Sequence, residues 1–131
     1  RRCAPTEIIM PQATYHFPKG FLWGTATASH QVEGNNTNNN WWKWEQEGHT
    51  DGSSILAADW WGGRWREDFD RAAETGQNAH RLSVEWSRIQ PTPDTWDEEA
   101  LEKYRNMLRG LIVHTRRKRR SRSSHRVRPP R

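Results

Sequence analysis

Two glutamates, Glu33 and Glu85, lie at the ends of segments that are predicted to form β-strands. Parallel α/β proteins place functional groups at the carboxyl ends of their strands. Two carboxylates about 5 to 5.5 Å apart can serve as acid/base and nucleophile in the hydrolysis of a glycoside with retention. Gln31, whose amide can bond several hydroxyl groups, and Arg81, a permanent cation, lie close to them in the chain. A catalytic pair is therefore one interpretation, and a purely structural hydrogen-bonding role is the other.

The spacing of apolar residues predicts two strand–helix units that would position these groups. Strands are predicted over residues 21–27 and 79–85, and helices over residues 61–75 and 97–112. The run of asparagines at residues 35–40 predicts a loop, because asparagine bonds its own backbone and tolerates left-handed geometry. Gly76 is expected to end the first helix, and the spacing of Thr95 and Glu98 indicates a capping box at the second.

Both predicted helices and the second strand have one apolar face. In the second strand, apolar and polar residues alternate, which fits a barrel strand that packs on helices and equally fits a half-exposed antiparallel strand. The expected apolar positions are Trp61, Trp65, Phe69, Ala72 and Ala73 in the first helix, Leu101, Tyr104, Leu108 and Leu111 in the second, and Leu82, Val84 and Trp86 in the strand. The expected polar face of the strand holds Arg81, Ser83 and Glu85. The nine tryptophans fit a buried core better than a sugar-stacking cleft, although the stretch Trp41-Trp42-Lys43-Trp44 fits either.

Two stretches of sequence resemble the N-terminal part of family 1 glycoside hydrolases, the β-glucosidase family. Residues 21–34 read FLWGTATASHQVEG, and residues 81–89 read RLSVEWSRI. The first stretch matches the family pattern at nine positions and departs from it at the last, where Asn35 replaces a small residue. The matching residues are Phe21, Trp23, Gly24, Ala26, Ala28, Ser29, His30, Gln31 and Glu33.

The resemblance implies an α/β fold, specifically a partial (β/α)8 TIM barrel that contains only the first two βα units. It implies that Gln31 bonds hydroxyls of the sugar in the cleaved subsite, that Arg81 lies near the nucleophile, and that Glu33 supports the active site from within the barrel. The family takes its catalytic glutamates from Asn-Glu-Pro and Glu-Asn-Gly segments, and neither tripeptide occurs here. The expectation is an inactive fragment of a retaining β-glycosidase, with no catalytic residue of its own and a β-glycoside as the substrate of the intact relative.

The chain is expected to consist of three parts. Residues 1–9 precede Met10, which is expected to be the initiator, with a genuine extension as the alternative. Residues 10–113 are expected to fold as the N-terminal part of the barrel. Residues 114–131 are expected to be a disordered basic tail, because residues 115–131 hold nine Lys or Arg and no acidic residue. An out-of-frame origin is the favoured interpretation of this tail, and a natural tail that binds nucleic acid non-specifically is the alternative.

Other classes of function find little support in the sequence. Six histidines lack ligand spacing, which argues against a metal site, and no phosphate-binding loop or other cofactor motif is present. No apolar run approaches the roughly 20 residues of a membrane span, and the single cysteine fits a reducing compartment, so a cytoplasmic location is expected. A non-catalytic sugar-binding module remains an alternative to the hydrolase fragment.

Overall fold

The computed structural model describes the backbone of residues 15–123 and the side chains of residues 15–113. Within residues 15–123 the chain forms two strands and five helices. In chain order they are β1 (Gly24–Ala26), α1 (Ser29–Val32), α2 (Asn40–Gln46), α3 (Trp65–Glu74), β2 (Ala79–Arg81), α4 (Trp86–Ile89) and α5 (Glu98–Ser123). The predicted extension at residues 1–9, the proposed start at Met10 and residues 124–131 lie outside the described residues.

The two strands form a parallel pair, as expected for consecutive strands joined by a helical crossover. Gly24 lies opposite Ala79, and Ala26 lies opposite Arg81. A β-carbon at Gly24 would approach the carbonyl of Ala79 too closely, so glycine permits this pairing. The ladder pairs three residues of each strand, so both strands are shorter than the predictions of 21–27 and 79–85.

Helix α3 and the core follow the predicted apolar pattern. Trp65 and Phe69 are buried, and Trp60, just before the helix, packs edge-on against Phe69 with ring centroids 5.3 Å apart. Gly76 ends the helix as predicted: its φ is +88°, and the amides of residues 76 and 77 donate to the carbonyls of Ala73 and Ala72. Glycine adopts this left-handed conformation without strain.

Helix α5 packs on α3 with a face that is rotated from the predicted one. Tyr104 is buried as expected, but Met107 is buried at the next turn and Leu108 is 47% exposed. The predicted capping box is also wrong. Asp97, rather than Thr95, caps the helix by accepting a hydrogen bond from the amide of Ala100 at 2.9 Å.

The C-terminal part of α5 corrects the prediction of a disordered tail. The helix continues through Ser123, so residues 114–123 are helical. Low apolar content excludes a core, but it does not stop an established helix from propagating. Lys and Arg are good helix formers, and no Gly or Pro interrupts residues 111–123.

Several apolar side chains that were expected to be buried are exposed. Val84 and Trp86 are 48% and 60% exposed, although Leu82 packs against the core. Of the nine tryptophans, Trp60 and Trp65 are buried, whereas five others are exposed: Trp23, Trp41, Trp44, Trp86 and Trp96. Burial is therefore not the rule for tryptophan in this chain.

Candidate functional site

Polar side chains collect where β1 and β2 end. The amide of Thr27 donates to the carbonyl of Arg81 at 3.1 Å, and the hydroxyl of Ser83 donates to the carbonyl of Thr27 at 2.8 Å. These bonds hold the two chain segments side by side beyond the ladder. Helix α1 then follows β1, and α4 follows β2 after an extended segment. The functional residues predicted from the sequence thus lie at one end of the sheet.

The Glu85 carboxylate is surrounded by hydrogen-bond donors. One oxygen, Oε2, accepts from the hydroxyl of Ser29 at 3.2 Å and from the amides of Asn36 and Asn39, each at 3.1 Å. The other oxygen accepts from the hydroxyl of Ser87 at 3.0 Å and from its backbone amide at 3.4 Å, which caps α4. Burial alone would raise the pKa of Glu85, but the bonds from Asn39, Ser87 and Asn36 outweigh it and hold the pKa below its ordinary value.

Glu33 is buried and joined to the second βα unit. The side-chain Nε of Arg88 donates to Glu33 Oε2 at 2.8 Å, and the hydroxyl of Tyr104 donates to Oε1 at 2.6 Å. The Tyr104 oxygen also accepts the backbone amide of Glu85 at 2.9 Å, so this phenol links the two glutamates. Burial raises the pKa of Glu33 despite these partners, and burial and the neighbouring Glu33 raise the pKa of Tyr104.

His30 lies in a third cluster, which the side-chain amide of Asn39 connects to Glu85. The amide of Asn39 lies 3.1 Å from His30 Nδ1 and donates to it, which places the ring proton on Nε2. Nε2 then donates to Glu45 Oε1 at 2.8 Å and lies 2.8 Å from the hydroxyl of Ser54. The hydroxyl and the backbone amide of Ser54, followed by His30, lower the pKa of Glu45 to about 2. The cluster holds together the segment between α1 and α3, which includes α2.

Gln31 and Arg81 differ from these residues because both are exposed. Gln31 lies in α1 rather than at the strand end predicted from the sequence. Arg81 is the last residue of β2, and its carbonyl, not its guanidinium, makes the contact with Thr27 described above. Gln31 is the residue of α1 whose side chain is turned toward solvent while Ser29, His30 and Val32 are packed or bonded. Gln31 thus lies on a short segment, residues 29–34, whose other side chains are packed or hydrogen-bonded. This segment is called the α1 turn below.

The geometry surrounds both glutamates with hydrogen-bond partners. Both oxygens of Glu33 are occupied by Arg88 and Tyr104, and the residue is 1% exposed. A general acid/base must reach the proton that it transfers, and a nucleophile must reach the sugar carbon. Glu33 meets neither condition, and Glu85 already accepts five hydrogen bonds.

Sequence reasoning missed most of this polar network. Arg88, Asn36, Asn39 and Glu45 had no predicted role, and Tyr104 was assigned only to the core. One signal was available: Asn39 stands three residues before Trp42, the spacing of an N-cap, and its side chain does accept the amide of Trp42 at 2.8 Å. The predicted asparagine loop is confirmed for residues 35–39, whereas Asn40 begins α2, and Asn35 adopts the left-handed conformation with φ of +50°.

Exposed tryptophans lie next to the His30 cluster. Trp41 and Trp44 occupy positions i and i+3 of α2 and are 63% and 47% exposed. The ring of Trp44 stacks on His49 with centroids 4.0 Å apart, and Trp41 lies 6.5 Å from the His30 ring. Neither Trp41 nor Trp44 is buried in the core of this chain.

Comparison with known proteins identifies the family. The profile of glycosyl hydrolase family 1 matches residues 13–115. A bifunctional β-D-glucosidase/β-D-fucosidase of Bifidobacterium breve is 37% identical over 108 residues, and β-glucosidase A of Thermotoga maritima is 39% identical over 83 residues. The solved β-glycosidase of Pyrococcus horikoshii superposes with a TM-score of 0.68 at 42% identity over 76% of this chain.

The chain therefore belongs to glycosyl hydrolase family 1. It spans about a quarter of its relatives: it covers 24% of the Bifidobacterium enzyme, which matches 77% of this chain, and 23% of the Pyrococcus structure. The Thermotoga enzyme matches 57% of this chain, which covers 18% of that enzyme. Among the described residues, no helix is both long and apolar enough to cross a membrane.

Proposed function

We propose that this chain supplies the first two βα units of a retaining β-glycosidase with a (β/α)8 barrel, and that its role there is to bind the sugar rather than to cleave it. The observation that carries the proposal is the exposed side-chain amide of Gln31 on the α1 turn, where the neighbouring residues are packed or hydrogen-bonded. That turn follows the carboxyl end of a parallel strand, where barrel enzymes build their sites. A free amide at this place can bond two hydroxyls of one sugar ring.

In this proposal Arg81 assists catalysis by its charge. It ends the neighbouring strand and is exposed at the same end of the sheet as Gln31. A guanidinium beside a carboxylate stabilises the ionised form, which is the form that attacks the sugar carbon. The carboxylates themselves would come from outside this chain, because Glu33 and Glu85 have structural partners. By itself the chain is then expected to give no hydrolysis of a chromogenic β-glucoside above a control without protein.

A hybrid enzyme tests the proposal. Residues 15–113 would replace the matching segment of the Bifidobacterium enzyme, to which this chain is 37% identical over 108 residues. We expect the hybrid to hydrolyse aryl β-glucosides, and to lose most of this activity when Gln31 is replaced by Ala. A folded hybrid that binds sugar but cannot hydrolyse it would support the alternative of a sugar-binding module.

A second function concerns the basic residues after Val113. Nine Lys or Arg without an acidic residue would release counterions from a polyanion. We propose that binding to nucleic acid through this segment is non-specific. The affinity of the whole chain for random and defined DNA duplexes should then be equal within about threefold and should fall steeply with salt. Discrimination among sequences, or an affinity that salt does not change, would contradict this.

A further inference from the structure

We propose that Glu33 is a positioning residue that holds the α1 turn, and with it Gln31, against the second βα unit. The inference rests on the proposed function, because it concerns how the sugar-binding amide is aimed. Glu33 does not touch the sugar in this proposal. It acts through the backbone of the turn, two residues after Gln31.

The turn is fixed by bonds on both sides of Gln31. Before it, the hydroxyl of Ser29 donates to Glu85, and His30 donates to Glu45. After it, the carbonyls of Val32 and Glu33 accept the amides of the two residues at positions 60 and 61, at 3.0 and 2.9 Å. The backbone of the turn is thus joined to the segment that leads into α3.

The Glu33 side chain adds the connection to α4 and α5. Its partners Arg88 and Tyr104 are 55 and 71 residues away in sequence. Arg88 donates a further hydrogen bond to the carbonyl of Gly34, so its guanidinium bonds two successive residues of the turn, Glu33 and Gly34. The same guanidinium lies over the ring of Trp61, 4.0 Å from its centroid, which limits its movement.

The choice of side chain supports a directional role rather than simple packing. Burying an ion pair brings a desolvation penalty that an apolar residue of the same size avoids. A carboxylate instead offers two oxygens whose bonds have preferred directions, and here each oxygen has one partner. Such a pair can fix the orientation of a short turn.

Tyr104→Phe tests the proposal with little change in shape. The variant removes the hydroxyl that bonds Glu33 and the amide of Glu85, while the ring stays in the core. The chain has one other tyrosine, Tyr15, which is 79% exposed, so Tyr15→Phe is the matched control. Hydrogen exchange of the whole chain, followed by mass spectrometry, reports on the two regions separately: the peptide 28–36 covers the turn, and the peptide 65–75 covers α3.

We expect the amides of residues 31 and 33, which bond within the turn, to exchange about tenfold faster in Tyr104→Phe, with α3 changed by less than about twofold. Equal acceleration in both peptides would show a general loss of stability, and no acceleration would show that the turn does not depend on Tyr104. Either result overturns the proposal. Glu33→Gln provides a second variant, and it should also accelerate hydrogen exchange in the peptide 28–36.

Activity of the hybrid enzyme tests whether the order of the α1 turn affects sugar binding. Tyr104→Phe should lower kcat/KM of an active hybrid by about tenfold, whereas Tyr15→Phe should leave it unchanged. If Gln31→Ala lowers activity and Tyr104→Phe does not, the positioning role of Glu33 is wrong while the proposed function stands. If the unmodified hybrid is folded but inactive, the proposed function fails, and the exchange experiment still decides whether Glu33 holds the turn.

Discussion

The replacement of Glu85 by Gln separates a structural carboxylate from a catalytic one. The two side chains have nearly the same shape, so the change removes charge and turns one acceptor into a donor. A catalytic glutamate can usually be changed in this way with little effect on stability. Glu85 accepts five hydrogen bonds, and no orientation of an amide can accept all of them.

The loss of stability can be worked out from the better of the two orientations. With its oxygen at the Oε2 position, the amide keeps Ser29, Asn36 and Asn39 as donors. Each of these three bonds loses its charge assistance, which contributes about 1 kcal/mol per bond. The N–H of Ser87 loses its acceptor at the start of α4, about 1 kcal/mol more. Glu85 is only partly buried and a neutral amide is less costly to desolvate, so we expect a net loss of about 2 kcal/mol.

Urea unfolding of the whole chain measures this loss. With an m-value of about 1.5 to 2 kcal/mol per molar, 2 kcal/mol lowers the midpoint by about 1 M. The control is Glu99→Gln, which breaks an exposed ion pair with Lys103 and should cost less than about 0.5 kcal/mol. If Glu85→Gln shifts the midpoint no more than Glu99→Gln does, Glu85 is not structural, and its role as a catalytic carboxylate would have to be reconsidered.

Two further predictions concern stability. The pKa of Glu45 is lowered from an ordinary value of 4.5 to about 2 by Ser54 and His30, so its contribution to stability is complete above pH 4.5 and is lost as the pH falls toward 2. The melting temperature of Glu45→Gln should therefore depend less on pH than that of the unchanged chain between pH 5 and about 2.5, and parallel profiles would refute this. Gly110→Ala would place a β-carbon against the Trp65 ring, so overpacking should outweigh the gain in helix propensity and lower the free energy of unfolding by about 1 kcal/mol. A stabilised variant in urea titration would contradict that packing.

The sequence predicted the long-range order of the fold better than its details. Periodicity predicted the strands and the helices between them, the family resemblance predicted that the strands are parallel, and the conformational freedom of glycine predicted the stop at Gly76. The face of α5 was misjudged because Met107 and Leu108 are adjacent and equally apolar. Only contact with Trp65 and Phe69 decides which of them is buried, and periodicity over a few turns does not specify that contact.

Only those residues of the candidate site that lie in a matched motif were predicted from the sequence. The motif resemblance singles out Gln31, Glu33 and Arg81, but it does not show what holds them. The bond between Glu33 and Tyr104 joins residues 71 positions apart, and no local pattern indicates such a pair. The short helices α1 and α4 were missed because four residues are too few to show a period.

The most direct test of this account measures the activity of the hybrid enzyme with and without the Gln31 amide. Gln31→Ala should reduce kcat/KM for an aryl β-glucoside by about 100-fold, because bonds to sugar hydroxyls that strengthen in the transition state are lost. The melting temperature should stay within a few degrees of that of the parent hybrid, because the Gln31 side chain is exposed. Gln46→Ala, at an exposed position at the end of α2, is the matched control and should change kcat/KM by less than about twofold. An active hybrid whose kcat/KM is the same with Gln31→Ala as with Gln46→Ala would contradict the assignment of Gln31 to the sugar.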